Sequence, residues 1–407
     1  MKLDAATRAA LRERYEACFG KNRARLRVAL APGRVNLLGE HTDYNGGFVL
    51  PMALDRHVAV IYRTRSDAQI RVHTADRNPK HCDADDSFAA DARRLSPVRN
   101  ARKKWSNYVR GVAAVLSERG ARLCGVDLLI WADLPEGAGL SSSAALEVAV
   151  GHALLDAAGE KCDAQEMAFA CQQAEHRFAG VKCGIMDQTV VARAQAGCAL
   201  LLDCRSIETR HVPVKLGGWS FALFDTGVRH KLASSAYNIR RMECENAARK
   251  LRVAALRDVG LDELRTRGSK LNVTEQRRVR HVVTENLRTI QFAHALAHGD
   301  INEMGHLLNL SHESLRKDYE VSCRELDILS SVIRIADELD KDGAGLAGVG
   351  ARMVGGGFGG CVLALVRPDR FEALVDLVRE RYRRLSGLQL GLAMLLQPGD
   401  GARVATL

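Results

Sequence analysis

"LPEGAGLSSSAAL", Leu134 to Leu146, follows a strand-like run, "GVDLLIWAD", and opens a long apolar helical stretch that Gly159 ends. Glycines let a backbone turn with positive φ and let a ligand approach closely. Three serines then place hydroxyls where the helix begins, and a helix start offers unpaired N–H groups and the positive end of the helix dipole. A strand, a Gly/Ser loop and a helix in that order suit a phosphate group. Taken alone, the string suits an ordinary capped helix with a serine-rich turn equally well.

Three further stretches bear on the choice. Upstream, "GRVNLLGEHTDYNGG" (Gly33 to Gly47) packs Arg34, Glu40, His41 and Asp43 between two strand-like runs, "RLRVALAPG" and "GFVLPMAL". Ionisable groups that partly leave water cost free energy unless something pairs with them, so this cluster points to a polar ligand. Downstream, "GVKCGIMDQ" sets Asp187 among Cys183, Gly184, Ile185 and Met186, after a helix that Gly180 stops. A carboxylate in such company needs a partner or a task, or it caps a helix. Near the far end, "VGGGFGG" (Val354 to Gly360) satisfies G-x-G-x-x-G through Gly355, Gly357 and Gly360. A dinucleotide fingerprint should follow a strand and open a helix, whereas these glycines precede a strand, "CVLALV". A flexible glycine loop closing over a site fits better, with a tight hairpin as the alternative.

The chain has 407 residues, 47% hydrophobic, which favours two domains over one core. No stretch reaches the ~18 consecutive apolar residues of a spanning helix, and the N-terminal "MKLDAATRAALRERYEACFG" reads as an amphipathic helix with acidic residues. A cytoplasmic protein with no membrane partner is expected. The eleven cysteines are scattered without a C-x-x-C pair and read as reduced small hydrophobes. The net charge of +10 comes from clusters such as "VRNARKKW" and "VRERYRRL" whose charges sit at helical spacing with acids between them. They lack the aromatic platforms or module of a nucleic-acid binder, so no nucleic-acid partner is expected, and the excess suits anionic nucleotides. Strands and helices alternate in the first half. From about residue 205 helices dominate, which gives an α+β chain with a boundary between residues 180 and 210. There is no G-x-x-x-x-G-K-[ST], H-R-D or D-F-G, which excludes a standard P-loop and a protein kinase.

These motifs, in this order, make the chain resemble the galactokinases of the GHMP kinase superfamily. "GRVNLLGEHTDYNGG" looks like the galactokinase signature, "LPEGAGLSSSAAL" is similar to the superfamily's phosphate-binding motif, and "GARMVGGGFGGC" to its third motif. "CGIMDQ" and "RHKLASSAYNIRR" match galactokinase patterns too. The resemblance implies a two-domain GHMP kinase fold, residues 1–205 and 206–407, with the active site in the cleft between them. It implies transfer of the ATP γ-phosphoryl group to the anomeric hydroxyl of galactose, the first committed step of the Leloir pathway, by a monomer acting on small molecules. Asp187 is then the catalytic base and Arg34 its neighbour that stabilises transition-state charge. Glu40, His41, Thr42, Asp43, Gly184 and Tyr237 bind the sugar. Gly137, Ala138, Gly139, Leu140, Ser141, Ser142 and Ser143 wrap the ATP phosphates, with Gly356 and Gly357 completing that side and Trp105 against adenine. Ser143 and Glu175 are the implied Mg²⁺ ligands, hard oxygen donors of the kind that ion prefers. One departure stands out: in "FDTGVRH" many relatives carry Asn where this chain has Asp225, which leaves that wall of the site open to question.

Rival readings are weaker. A metal hydrolase built on His41 and Asp43 lacks further ligands at usable spacing. A serine hydrolase built on Ser142, His41 and Asp187 lacks the G-x-S-x-G elbow. A non-catalytic sugar sensor would be expected to depart from the pattern in the phosphate loop, which is intact here. A kinase for N-acetylgalactosamine or arabinose differs only in pocket shape.

Overall fold

Strand β1 (Arg27–Asn36), which carries Arg34, is buried at nine of its ten positions. Such a run has to lie inside a sheet covered on both faces. The computed structural model describes residues 3–22, 25–75, 85–135, 138–229, 233–336 and 348–407, and every statement of number or absence below concerns these. Helix α1 (Ala5–Phe19) precedes β1 and is capped by the Asp4 carboxylate, which accepts the Thr7 N–H at 2.7 Å. After β1 come β2 (Phe48–Val49), β3 (Pro51–Thr64), β4 (Gln69–Thr74), β5 (Asp86–Ala89), α2 (Asn107–Glu118) and β6 (Val126–Ala132). Helices α3 (Ser142–Ala157), α4 (Ala164–Ala174) and α5 (Met186–Arg193) follow, then β7 (Cys198–Asp203), β8 (Thr209–Pro213) and β9 (Ser220–Asp225). The remainder runs α6 (Ala233–Leu251), α7 (Leu261–Arg267), α8 (Val273–His298), α9 (Ile301–Lys317), α10 (Arg324–Arg334), β10 (Gly348–Met353), β11 (Cys361–Val366), α11 (Phe371–Ser386), β12 (Ala393–Leu395) and β13 (Arg403–Thr406).

The stop signals act where the sequence put them. Asp163 accepts the N–H groups of Gln165 and Glu166 at the start of α4. Gly180 ends the following π-helical turn at φ 77°, a conformation that favours glycine.

Three sheets result. The largest has the order β13-β1-β3-β6-β4-β5, with β4 and β6 parallel. The second is β10-β11-β9-β12, and the third, β2-β7-β8, is small. Helix α3 packs across β1 and β3 over an aliphatic core that includes Val35, Val60, Val148 and Leu154, each contributing roughly 1.5–3 kcal/mol by leaving water. A second core joins the four-stranded sheet to α6, α8, α10 and α11 through Phe224, Leu251, Tyr319 and Tyr382. At the C-terminus β13 returns to pair with β1, so the last residues complete the first sheet rather than the second. No helix is long and apolar enough to cross a membrane.

Candidate active site

Between Pro32 and Arg34 the β1–β3 pairing shifts register, and such a bulge re-aims a side chain. Gly33 makes the shift possible: a Cβ there would come within 2.3 Å of Leu134 and 3.0 Å of the Leu140 carbonyl. The Arg34 N–H donates to that same carbonyl at 3.0 Å, stitching the sugar signature to the Gly/Ser loop. Its side chain then forks onto Asp187, in the first turn of α5, with Nε–Oδ1 at 2.7 Å and Nη2–Oδ2 at 2.6 Å. A third donor, Nη1, meets the Gly139 carbonyl at 2.6 Å. Burial alone would lower the Arg34 pKa, but Asp187, helped by Glu40 and Asp43, holds it above its ordinary value. The Ser141 hydroxyl also donates to Asp187, from a residue held at φ 54°.

Arg34 and Asp187 line a cavity of about 290 Å³, while Gly139 to Ser143 lie outside its wall. Glu40, His41, Asp43, Tyr237, Gly184, Glu175 and Gly356 line the same cavity. Asp43 is pushed up to about 7, by burial first and then by the nearby Asp187 charge. Gly184 has to be glycine, since a Cβ would sit 1.8 Å from the Asp43 carboxylate. Burial pushes His41 down to about 3, so its ring is neutral at physiological pH. Its Nδ1 lies 2.8 Å from the Tyr44 hydroxyl, which continues to Tyr319 at 2.7 Å and on to Cys244 at 3.1 Å.

Helix α8 holds the signature loop from behind, and nothing in the motif reading pointed to it. His281 Nε2 donates to the Glu40 carbonyl at 3.1 Å and Nδ1 pairs with the Ser314 hydroxyl. Glu285 Oε1 accepts the Gly39 N–H at 3.1 Å and the Ser311 hydroxyl at 2.7 Å, and Asn286 Oδ1 accepts the Phe48 N–H at 2.8 Å. Burial would raise the Glu285 pKa, but Arg288, His281 and Arg352 hold it at about 2. The signal was present as His281, Glu285 and Thr289 at four-residue spacing beside Val282 and Val283, polar groups on a face that should be apolar. Cys183 and Asn238 line the cavity as well, without having been singled out as ligands.

Several expected site residues are placed elsewhere. Thr42 is fully buried and its hydroxyl bridges the carbonyls of Gly39 and Phe48, at 2.8 and 2.7 Å, so it shapes the loop and leaves the cavity to its neighbours. Gly357 packs against Val321, whose carbonyl would lie 2.2 Å from an added Cβ. The glycine stretch is the turn of the β10–β11 hairpin, pinned by Phe358 N–H to the Val321 carbonyl at 2.7 Å, and only its start, Gly355 and Gly356, lines the cavity. Ala138 and Leu140 have buried side chains and offer their backbone alone. Gly137 lies outside the described residues. Trp105 is half-buried against the first core and is not part of the cavity wall. Asp225 is also outside that wall, paired with Arg229 at 2.8 and 2.6 Å.

Helix α3 begins at Ser142 with no side chain capping it, which leaves its first N–H groups open. Beside it, Glu175 accepts from the Gln188 amide at 2.7 Å, from the Cys183 thiol at 3.3 Å and from the Ser143 hydroxyl, all neutral donors. Glu147, fully buried, shares that amide and leaves Oε1 without a partner. Burial pushes both acids up. An uncompensated acid pair with an orphaned oxygen, next to a serine hydroxyl and a helix start, fits a hard divalent cation shared with phosphate.

Fold and site together define a GHMP kinase. The chain matches the models of the GHMP kinases N terminal domain over residues 107–195 and GHMP kinases C terminal over 292–384. Methanococcus jannaschii mevalonate kinase shares this fold, with a TM-score of 0.61 at 17% identity over 93% of this chain and 100% of that one. The galactokinase galactose-binding signature matches residues 13–64. Galactokinases of Chloroflexus aurantiacus and Chloroflexus aggregans are both 46% identical, over 89% and 92% of this chain and 90% and 92% of theirs. The crystal structure of Lactococcus lactis galactokinase complexed with galactose superposes with a TM-score of 0.89 at 32% identity, covering 97% of this chain and 99% of that one. The chain belongs to the galactokinase family.

Proposed function

We propose that the cavity between Arg34–Asp187 and Glu40–His41–Asp43 phosphorylates the anomeric hydroxyl of galactose at the expense of ATP. The observation that supports this most is the Arg34–Asp187 fork lining the same cavity as acceptors suited to sugar hydroxyls. Glu40 and Asp43 accept from those hydroxyls, neutral His41 and Tyr237 complete the ring of polar contacts, and Gly184 leaves the space they need. A site whose polar groups need partners strongly rejects sugars that leave one unpaired. Galactose is thereby distinguished from glucose.

Asp187 receives the anomeric proton. Three donors already occupy its carboxylate, so it has to trade one of them to take that proton. This suits a loose transition state in which proton transfer comes late and positioning dominates. Arg34, itself almost wholly buried, meets the charge that develops on the transferring group. The open N–H groups of α3, the Gly139–Ser143 backbone and Gly356 lie against the phosphates. Ser143 and Glu175 would hold Mg²⁺, which when bound would neutralise phosphate charge. We place the halves at residues 1–205 and 206–407, with β13 returning from the second to complete the sheet of the first, and read the enzyme as a cytoplasmic monomer.

The test is ADP release measured separately with galactose, glucose, N-acetylgalactosamine, arabinose and mevalonate. Galactose is expected to be the preferred acceptor by at least about 100-fold over glucose. A preference for N-acetylgalactosamine or arabinose would reassign the sugar, and no ADP release with any of them would make the protein a sensor.

A further inference from the structure

The third motif reaches across to the sugar loop. From β10, Arg352 donates through Nε to the Leu37 carbonyl at 2.9 Å, through Nη1 to Met353 at 2.9 Å, and through Nη2 to the Asn36 carbonyl and to Glu40 Oε1 at 3.2 Å. The Gly355 N–H donates to the same Oε1 at 2.8 Å. Both side chains of this ion pair are out of water, Arg352 at 0% exposure and Glu40 at 3%. A guanidinium is a rigid planar fork, so fixing two of its arms on the end of β1 also fixes the arm that meets Glu40. On its other side the same hairpin borders the phosphate loop, where a Cβ on Gly139 would lie 4.0 Å from the Val354 carbonyl.

We infer that Arg352 is a positioning residue: with the Gly355 N–H it clamps one oxygen of Glu40, turns the other toward the sugar, and makes the sugar and nucleotide sides of the cavity form together. The inference rests on the reading of Glu40 as a sugar-hydroxyl acceptor. If Arg352 were only a strut between β1 and β10, its loss would lower stability and every kinetic constant alike. A clamp acts on galactose recognition first. It also makes binding at one side tighten binding at the other, by the same factor in both directions.

The experiment measures kcat, galactose KM and ATP KM for Arg352→Lys, Glu40→Gln and the double variant. Lysine keeps the buried charge but cannot fork. Arg352→Lys is expected to raise galactose KM about tenfold or more while kcat and ATP KM stay within about threefold. In the Glu40→Gln background the same change should add less than about twofold, because the group it positions is already altered. Equal losses in all three constants, or a full effect on galactose KM in the Glu40→Gln background, would overturn the inference. A Glu40→Gln variant with unaltered galactose KM removes the reading of Glu40 itself, which distinguishes that failure from this one. A second measurement needs no substitution: galactose titrated calorimetrically into the wild-type enzyme with and without a non-hydrolysable ATP analogue. Galactose affinity is expected to rise about threefold or more with the analogue present, and equal affinities contradict the clamp.

Discussion

Arg34 and Asp187, 153 positions apart in the chain, meet as a two-pronged ion pair with both contacts under 2.8 Å. The guanidinium is almost wholly buried and the carboxylate partly so, at 7% and 23% side-chain exposure. Such a pair fixes the acid's orientation, and in the proposed mechanism it puts a positive charge where negative charge accumulates during phosphoryl transfer.

Arg34→Ala is therefore expected to lower kcat by about 10²–10³, as removal of a preorganised charge does elsewhere, with a smaller rise in galactose KM. Steady-state kinetics check this. A large KM effect with kcat preserved would make Arg34 a binding residue.

Asp43 predicts a pH dependence of known sign. Its carboxyl holds a proton to about pH 7 in the folded protein, against 3.8 when free, because burial and Asp187 disfavour the charge. If the ionised form accepts the sugar's hydroxyl, kcat/KM for galactose falls as pH drops below about 7, and Asp43→Asn removes that limb. Stability runs the other way. The folded state binds the extra proton, so stability is full below the unfolded pKa and is lost as pH rises through the folded one. Asp43→Asn escapes that loss and should gain about 1–3 kcal/mol on the wild type between pH 4 and pH 8, read from denaturant melts.

Gly184→Ala tests the packing that leaves room for the sugar. The added methyl would overlap the Asp43 carboxylate, which has to swing away. Galactose KM is expected to rise about tenfold or more, with ATP KM within about twofold. A variant with normal galactose KM would show that Asp43 does not need the position it holds.

Ser143→Ala should raise the Mg²⁺ concentration for half-maximal activity by about threefold or more, given that Mg²⁺ keeps few protein ligands and loses one. Glu175→Gln should do the same and, by removing a carboxylate that burial already disfavours, leave the melting temperature of the metal-free protein unchanged or higher. An unaltered Mg²⁺ titration for both variants removes them as ligands.

The sequence carried the motifs because each needs residue types in a fixed local order. Arg34, Glu40, His41 and Asp43 fall within ten positions, and Gly139 to Ser143 are consecutive. What it hid depends on contacts between distant segments. His281 and Glu285 look like polar residues on an unremarkable helix until α8 is laid behind Gly39 and Glu40. Thr42 stood inside the signature, yet its hydroxyl turns inward to shape the loop. Gly357 matched a phosphate motif, but its missing side chain makes room for the Val321 carbonyl. A motif shows that a residue type is required at a position, and only packing shows whether ligand or backbone requires it. Asp225 shows the reverse, since its charge answers Arg229 four residues on.

In the proposed mechanism Asp187 carries the chemistry and the signature loop carries the sugar. This is tested most directly by Asp187→Asn, assayed for galactose-dependent ADP release and, in parallel, for galactose binding by calorimetry. The substitution is expected to lower kcat by about 10²–10⁴ and to leave galactose affinity within about fivefold of wild type. Turnover close to that of the wild-type enzyme, with the sugar still bound, would contradict that mechanism.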